Sequence, residues 1–188
     1  FDAMINCKKR NIPINIRNTN KPSASGTMIL TDRVPMEDIV GIAQLNDMAY
    51  VYLEKDGISD ETGFTEKLLN IFNRYKIITY YYPTDKDDIA VLISQDDLEG
   101  NINNLKEDIE KELSPDVIDV VYNLSILSCV GIGIKDNSTI IADAIIALRE
   151  ENIEIEMMDQ SPAKISFHIA VNSQHADAAL KTLHKRLI

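Results

Sequence analysis

The sequence predicts an α+β fold: two ferredoxin-like β-α-β-β-α-β units, the second completed by a strand from before the first. Three observations predict it. Residues 49–94 lie over residues 125–170 at one offset of 76, as Gly57 over Gly133 shows (133 − 57 = 76). Each copy runs strand, helix, strand, strand, helix. The second copy ends without a fourth strand, while a spare strand lies ahead of the first.

The elements follow in order. Residues 1–12 read as the end of a helix, with Met4, Cys7 and Lys8 in its last clear turn, and Pro13 stops it. Ile14–Arg17 alternates apolar and polar residues as a short strand does. Asn18–Gly26 is a loop by composition, and Thr27–Leu30 a second short strand. Val40–Leu45 is the spare strand. The first copy then reads strand Tyr50–Leu53, loop Asp56–Thr62, helix Gly63–Tyr75, strands Ile77–Tyr82 and Ile89–Ile93, helix Asp97–Leu113 and strand Val117–Tyr122. The second reads strand Ile126–Val130, loop Lys135–Ser138, helix Thr139–Glu151, strands Ile153–Met158 and Ile165–Val171, and helix Gln174–Arg186. Phe64, Leu68, Ile71 and Phe72 share helical spacing with Ile140, Ala144, Ala147 and Leu148, and Ile89 and Ile93 fall on Ile165 and Ile169. Thr62, Ser138, Ser94 or Asp96, and Ser173 stand where helix caps belong.

Composition narrows the function. With 45% hydrophobic and 26% charged residues the 188-residue chain is ordinary for a globular protein of one large or two small domains. A net charge of −11 offers no field to draw nucleic acid or an anionic membrane, so neither is an expected partner. No run approaches the ~20 apolar residues of a membrane span. Cys7 and Cys129 have neither metal-ligand nor redox spacing, which suggests a reducing, cytoplasmic setting. The chain begins at Phe1 without an initiator methionine or a signal-peptide pattern, and is expected to be a piece of a longer protein.

Few residues offer chemistry. Gly131-Ile132-Gly133 lacks the third glycine of a dinucleotide fingerprint and reads as a strand end. His168 lies on a strand, and His175 and His184 fall on opposite faces of the last helix, too far apart for one metal. Asp85, Asp87 and Asp88 read as a solvated turn rather than a cation site. In the run Tyr80-Tyr81-Tyr82 the middle ring faces the other way from its neighbours, so one set meets an interface; base stacking is not expected of an acidic chain without a basic aromatic motif. The junction Gly57–Phe64 differs in kind. A helix start offers free N–H groups and partial positive charge to a small carboxylate, while the strand Ile77–Tyr82 has carbonyls for an ammonium group. The same junction also reads as no more than a capped helix, and the residues alone leave both open.

Asn11-Ile12-Pro13-Ile14-Asn15-Ile16-Arg17-Asn18-Thr19-Asn20-Lys21-Pro22, followed by Ser25-Gly26-Thr27-Met28-Ile29, resembles the junction after the kinase domain in the aspartate kinase family. Val40-Gly41-Ile42-Ala43 resembles the strand that opens that family's regulatory region. Gly63-Phe64 with the following helix resembles its first ACT domain, and Cys129–Gly133 with Asn152–Met158 resembles its second. The resemblance covers essentially the whole chain. It implies a junction segment over 1–38, a first ACT domain over 49–122, and a second built from 39–48 plus 123–188. It implies a parent enzyme that phosphorylates L-aspartate with ATP at the head of lysine, threonine and methionine biosynthesis. It implies that ATP and Mg belong to a kinase domain absent from this chain, that the chain itself holds no cofactor, metal or catalytic residue, and that alone it is inactive as a kinase.

The resemblance further implies feedback inhibition by lysine, threonine or both, bound between ACT domains of a homodimer. The residues matching the effector-binding pattern are Ile58, Glu61, Gly63, Phe64 and Thr65 at the loop and helix start, and Ile78, Thr79 and Tyr80 on the adjoining strand. Lysine-sensing members often carry an acidic residue where Ile78 stands, and Asp159-Gln160-Ser161-Pro162 replaces a serine–threonine–serine–glutamate run. Two other classes stand beside this one. A free-standing ACT-type ligand-binding or interaction protein would have an initiator methionine close upstream. A small ferredoxin-like enzyme would need a nucleophile, base or metal set that the sequence does not offer.

Overall fold

The computed structural model describes residues 2–30 and 37–188; Phe1 and residues 31–36, within the expected junction segment, lie outside it. The chain divides into two compact units, 1–36 and 37–188.

In the first unit, helix α1 (Asp2–Lys9) precedes the antiparallel pair β1 (Ile14–Ile16) and β2 (Thr27–Ile29). The loop between the strands is held from within. The Arg17 guanidinium donates to the carbonyls of Pro22 and Ala24, and Asn18 Oδ1 accepts from the Asn20 amide.

The second unit is one six-stranded sheet, order β4-β5-β3-β6-β8-β7, with helices α2 to α5. The strands are β3 (Gly41–Glu54), β4 (Thr79–Tyr81), β5 (Asp88–Ser94), β6 (Val117–Val130), β7 (Met157–Gln160) and β8 (Ser166–Asn172). The helices are α2 (Phe64–Arg74), α3 (Ile102–Leu113), α4 (Thr139–Glu150) and α5 (Ala176–Leu187). No described helix is long and apolar enough to cross a membrane.

The spare strand does complete the second copy: Gly41 to Leu45 pair with Val130 to Ile126. It is not a separate strand, however. Val40–Leu45 and Tyr50–Leu53 were expected as two strands, as were Val117–Tyr122 and Ile126–Val130, and each pair is one continuous strand of 14 residues. Both strands pass from one copy to the other through a β-bulge. Three steps on β3, Leu45 to Met48, face two on β6; two steps on β3, Met48 to Tyr50, face three on β6. The extra residues include Asp47 (φ 55) and Asn123 (φ 57), which are 76 positions apart and both left-handed.

The offset of 76 holds only part of the way. Lys76 (φ 59) and Asn152 (φ 55) end α2 and α4 in one motif: the Ile77 amide bonds the Phe72 carbonyl, and the Ile153 amide the Leu148 carbonyl. This left-handed cap spends Ile77 and Ile153 on closing their helices and burying their side chains, so β4 and β7 begin later than Ile77 and Ile153. The offset then breaks in the next turn. The Asp85 amide bonds the Asp88 carbonyl across two residues, whereas the Ser161 amide bonds Ser166 across four. From there on the offset is 78 (166 − 88), and Ile89, Val91 and Ile93 correspond to Phe167, Ile169 and Val171 rather than to Ile165 and its successors. All six are fully buried, whereas Ile165 is 44% exposed.

Other boundaries shift for local reasons. The expected helix Asp97–Leu113 is a single turn, Gln95–Leu98, then α3, separated by Gly100 at φ 75. The caps also differ. Gly63 rather than Thr62 begins α2, and neither Ser138 nor Ser94 makes a side-chain cap bond. Asn137 Oδ1 instead accepts from the Thr139 amide, and Asn172 Oδ1 rather than Ser173 accepts from Gln174.

Two cores lie under the helices. Phe64, Leu68, Ile71 and Phe72 of α2 pack with Val51, Leu53, Val91 and Ile93; Ile140, Ala144 and Leu148 of α4 pack with Leu127, Cys129, Phe167 and Ile169. Burying each large apolar side chain contributes about 1.5–3 kcal/mol. A third cluster uses strand residues only: Met48, Leu92, Leu124, Ile126 and Ala170, with Tyr81 and Met157 at its margin. It joins the copies on the face away from the helices. There Tyr81 Oη lies 3.2 Å from His168 Nδ1, which lies 2.9 Å from Ser128 Oγ. Tyr81 is thus the tyrosine of its run that meets an interface, and Tyr80 and Tyr82 are exposed.

Gly131 and Gly133 end β6 where the incoming segment crosses. A Cβ on Gly131 would overlap the Asp38 carbonyl oxygen, and one on Gly133 the Asp38 side chain. Their spacing reflects this close approach, which seats Ile39, 1% exposed, in the second core.

Gly131→Ala costs ~1–3 kcal/mol in urea denaturation, whereas Gly41→Ala, with no atom near its Cβ, stays within ~0.5 kcal/mol. Burial holds the His168 pKa below 6.5, partly offset by Asp159. The unfolded chain therefore binds the proton more readily, and this contribution to stability is complete above pH 6.5 and lost as pH falls through the folded value. Replacing His168 with alanine, the residue at the corresponding Ala90, flattens the stability profile between pH 5 and 7, as read by thermal melts.

Candidate functional site

The candidate site begins where β3 ends. Gly57 (φ 75) opens a short turn, Ile58–Asp60, that buries Ile58. The β4–β5 turn pins it. The Gly57 amide donates to Asp87 Oδ1 at 2.7 Å, and the Ser59 amide to the Lys86 carbonyl at 3.1 Å. The aspartates at 85–88 thus form a turn, as their composition suggested, and one carboxylate also anchors the neighbouring loop.

Gly63 then starts α2 at φ 83, a conformation side chains rarely adopt. No side chain caps this helix, and a Cβ on Gly63 would meet nothing within 4 Å, so the approach to the first turn is open. The corresponding helix start in the second copy is occupied by Asn137. Phe64 is buried, and Thr65 is exposed on the first turn.

Glu61 lies between two lysines. Lys55 Nζ is 2.6 Å from its carboxylate and Lys67 Nζ 3.4 Å. The hydrogen bond from Lys55, more than any other influence, holds the Glu61 carboxyl below its ordinary range. Lys55 also donates to the Leu113 carbonyl at 2.8 Å and sits 5.3 Å above the Phe64 ring. The carboxylate best placed to receive an ammonium group is therefore already paired. The open helix start makes this corner receptive to a carboxylate, while the charge of Lys55 is shared with Glu61.

Ile78, Thr79 and Tyr80 lie elsewhere. They follow the C-terminal end of α2, whereas Gly63–Thr65 lie at its start. Eleven helical residues separate the two groups by about 16 Å. The strand register agrees: Thr79 pairs with Ile93, and the Ile58–Asp60 turn lies past the Asp88 end of β5. Ile78, just before the edge strand β4, is 65% exposed, and Tyr80 on that strand is 42% exposed. One chain therefore brings together Ile58, Glu61, Gly63, Phe64 and Thr65 but not Ile78, Thr79 and Tyr80. Lys55 and Lys67 were missed by sequence reasoning. Their only signal was positive charge flanking an acidic loop.

The other chemical candidates resolve simply. Burial pushes the Cys129 thiol up to about 12, so it is an unreactive core side chain. Among the described residues no group of three His, Cys, Asp or Glu could hold a metal ion.

Residues 127–187 match the family model of the ACT domain. Aspartokinase 3 of Bacillus subtilis is 27% identical over 186 residues, which cover 98% of this chain and 41% of that protein. Among solved structures, the aspartate kinase of Clostridium acetobutylicum superposes with a TM-score of 0.92 at 31% identity, over all of this chain and 44% of its own. Two further structures, at 15% and 19% identity, share the fold. They are E. coli aspartokinase III in complex with lysine and aspartate (TM-score 0.75, all of this chain and 41% of that one) and the regulatory subunit of aspartate kinase from Thermus thermophilus (TM-score 0.65, 80% of this chain and 99% of that one). The chain thus spans about two fifths of the full-length enzymes it matches, and it fits a C-terminal regulatory region of an aspartokinase.

Gly63→Ala forces a Cβ into left-handed backbone and lowers unfolding stability by roughly 1–2 kcal/mol, measured by denaturant titration. A cost below a few tenths would show that the helix start relaxes freely.

Proposed function

For a chain that fits the regulatory part of an aspartokinase, we propose a feedback-sensing role: it binds an amino-acid effector, lysine or threonine, and thereby restrains a kinase that phosphorylates L-aspartate with ATP. The observation that carries this is the uncapped start of α2 at Gly63, with Lys55 beside it. The effector carboxylate rests on the N–H groups of Gly63 and Thr65, since that of Phe64 already donates to the Glu61 carbonyl at 3.2 Å. Its ammonium group meets carbonyls near Ile78–Tyr80.

In a free amino acid these two groups sit on one carbon. The 16 Å or so between the two ends of α2 therefore requires the second end to come from another chain. A homodimer supplies it, with the exposed edge strand β4 of one copy facing the α2 start of the other. ATP and Mg belong to the remainder of the enzyme, and this chain alone has no kinase activity. The E. coli neighbour bound to lysine supports an amino-acid effector, and a cytoplasmic setting suits a biosynthetic enzyme.

Calorimetric titration of lysine and of threonine into the chain tests this reading. One of the two binds saturably in the wild type, and Ile78→Lys, which puts a positive charge on an exposed edge position beside the proposed ammonium group, shifts the protein towards monomer in sedimentation and weakens binding at least tenfold. Absence of heat and of any thermal shift with both amino acids overturns the reading.

A further inference from the structure

Four exposed apolar side chains gather where β6 ends. They are Val40, Val130, Ile132 and Ile165, each between 39% and 50% exposed. The backbone ties their strands together at this end. The Val40 amide bonds the Val130 carbonyl at 2.8 Å, and the Gly131 amide bonds the Ile165 carbonyl at 2.9 Å. Ile39 and Phe167 close by are buried in the second core, and these four stay outside it.

The first copy makes the same two bonds at the same distances, from the Asp116 amide to Glu54 and from the Lys55 amide to Asp87. Val40 therefore corresponds to Asp116, Val130 to Glu54, Ile132 to Asp56 and Ile165 to Asp87. All four counterparts are exposed acids. Two of them brace the neighbouring loop: Asp116 Oδ2 accepts from the Asp56 amide at 3.2 Å, and Asp87 Oδ1 accepts from the Gly57 amide at 2.7 Å. The fold thus has no need of apolar residues at these places. Valine and isoleucine give up those acceptors and leave apolar surface in water, and a covering partner removes the second of these costs. Grouped exposure of this kind, on a chain of net charge −11, marks an interaction surface.

The length and attachment of the matched enzymes identify what covers it. This chain spans 41% and 44% of two of them and fits their C-terminal region, so more than half of such an enzyme precedes it. In a parent so built, that part reaches the second unit through Asp38 and Ile39, and Val40 is the next residue. The point of entry is fixed, because Asn137 Nδ2 donates to Asp38 Oδ2 at 2.8 Å and Ile39 is buried. Docking within one polypeptide also needs far less than the ~1,200 Å² of a standing complex.

We infer that Val40, Val130, Ile132 and Ile165 form the surface on which the kinase portion of the parent docks, through apolar side chains of its own. The inference rests on the parent being an aspartate kinase and not on the effector site at Gly63. It gives the copies different tasks: the first keeps an open helix start, the second holds the kinase, and the β3–β6 ladder lies between them.

Hydroxyl-radical footprinting read by mass spectrometry tests this on the chain and on the full-length parent, whose phosphorylation of L-aspartate is assayed in the same preparation. In the chain, Ile132 and Ile165 are oxidised as exposed side chains are, at a rate independent of protein concentration. In the parent both are protected at least threefold. Val130→Glu with Ile165→Asp, which copies the first-copy residues, restores the reactivity of Ile132 in the parent and keeps the melting temperature of the chain within ~2 °C. If that double variant does not fold, Ile132→Asp, which copies Asp56, is used with Ile165 as the reporter. Equal reactivity in the chain and in an active parent overturns the inference and leaves the kinase reading standing. Protection that survives the substitutions overturns it too. So does protection that grows with the concentration of the chain, which makes a second copy the occupant. A parent without kinase activity overturns the kinase reading and this inference with it.

Discussion

The antiparallel ladder between β3 and β6 is the constraint on which the second unit depends. Each strand is the outer strand of one copy and the inner strand of the other, and their pairing runs from Gly41–Val130 to Glu54–Val117. A strand turns alternate side chains to each face, so a strand serving two cores must keep both sets of apolar residues facing their own helices. The two bulges allow this. On β3, Ile42 packs in the second core and Ala49, Val51 and Leu53 in the first, a change from even to odd positions across Asp47. On β6, Ile118 and Val120 serve the first core and Leu127 and Cys129 the second, with the same change across Asn123. Without the extra residue in each strand, one copy would turn its apolar side chains away from its helices.

Such a ladder joins the copies more tightly than a linker would. Met48, Leu92, Leu124, Ile126 and Ala170 close the helix-free face between them, and the Tyr81–His168 contact reaches from the edge strand of one copy to an inner strand of the other. Movement of β4 therefore disturbs the second copy directly. A ligand shifts such an equilibrium only through its different affinity for the two states, typically ~1–3 kcal/mol of coupling. Loss of one packed side chain from the third cluster is of comparable size, so the coupling needs no long chain of intermediates.

The repeat and the order of elements were legible because apolar spacing survives where identity does not: Leu68 and Ala144, or Phe72 and Leu148, occupy the same buried places. The continuity of the long strands was not. Asn46-Asp47 and Tyr122-Asn123 look like breaks in sequence, since polar residues prone to left-handed backbone mark turns and bulges alike. The change of offset from 76 to 78 was masked because Ile169 meets an apolar partner on either register, Ile93 or Val91, and Ile165 offers Ile89 a partner on the first, so only the hydrogen bonds of the turn decide. At the candidate site, the glycine start of α2 could be read from Gly63-Phe64, but the lysines around Glu61 and the distance to Ile78 required the fold.

That distance bears on how an effector would act. Were both ends of an amino acid gripped by a single chain, binding would tighten that chain alone and leave its neighbour unaffected. With the α2 start in one chain and the β4 edge in the other, as the proposed function requires, occupancy and association become one equilibrium, and the effector stabilises the paired state as the logarithm of its concentration over its dissociation constant. The pairing of Glu61 with Lys55 and Lys67 fits this arrangement. On that proposal it would withhold the Glu61 carboxylate from the effector's ammonium group and leave the neighbouring helix start to receive the effector's own carboxylate. On the proposed function, the half of the site that receives the carboxylate would be in place before the partner arrives, and the half that chooses between effectors would come with the second chain.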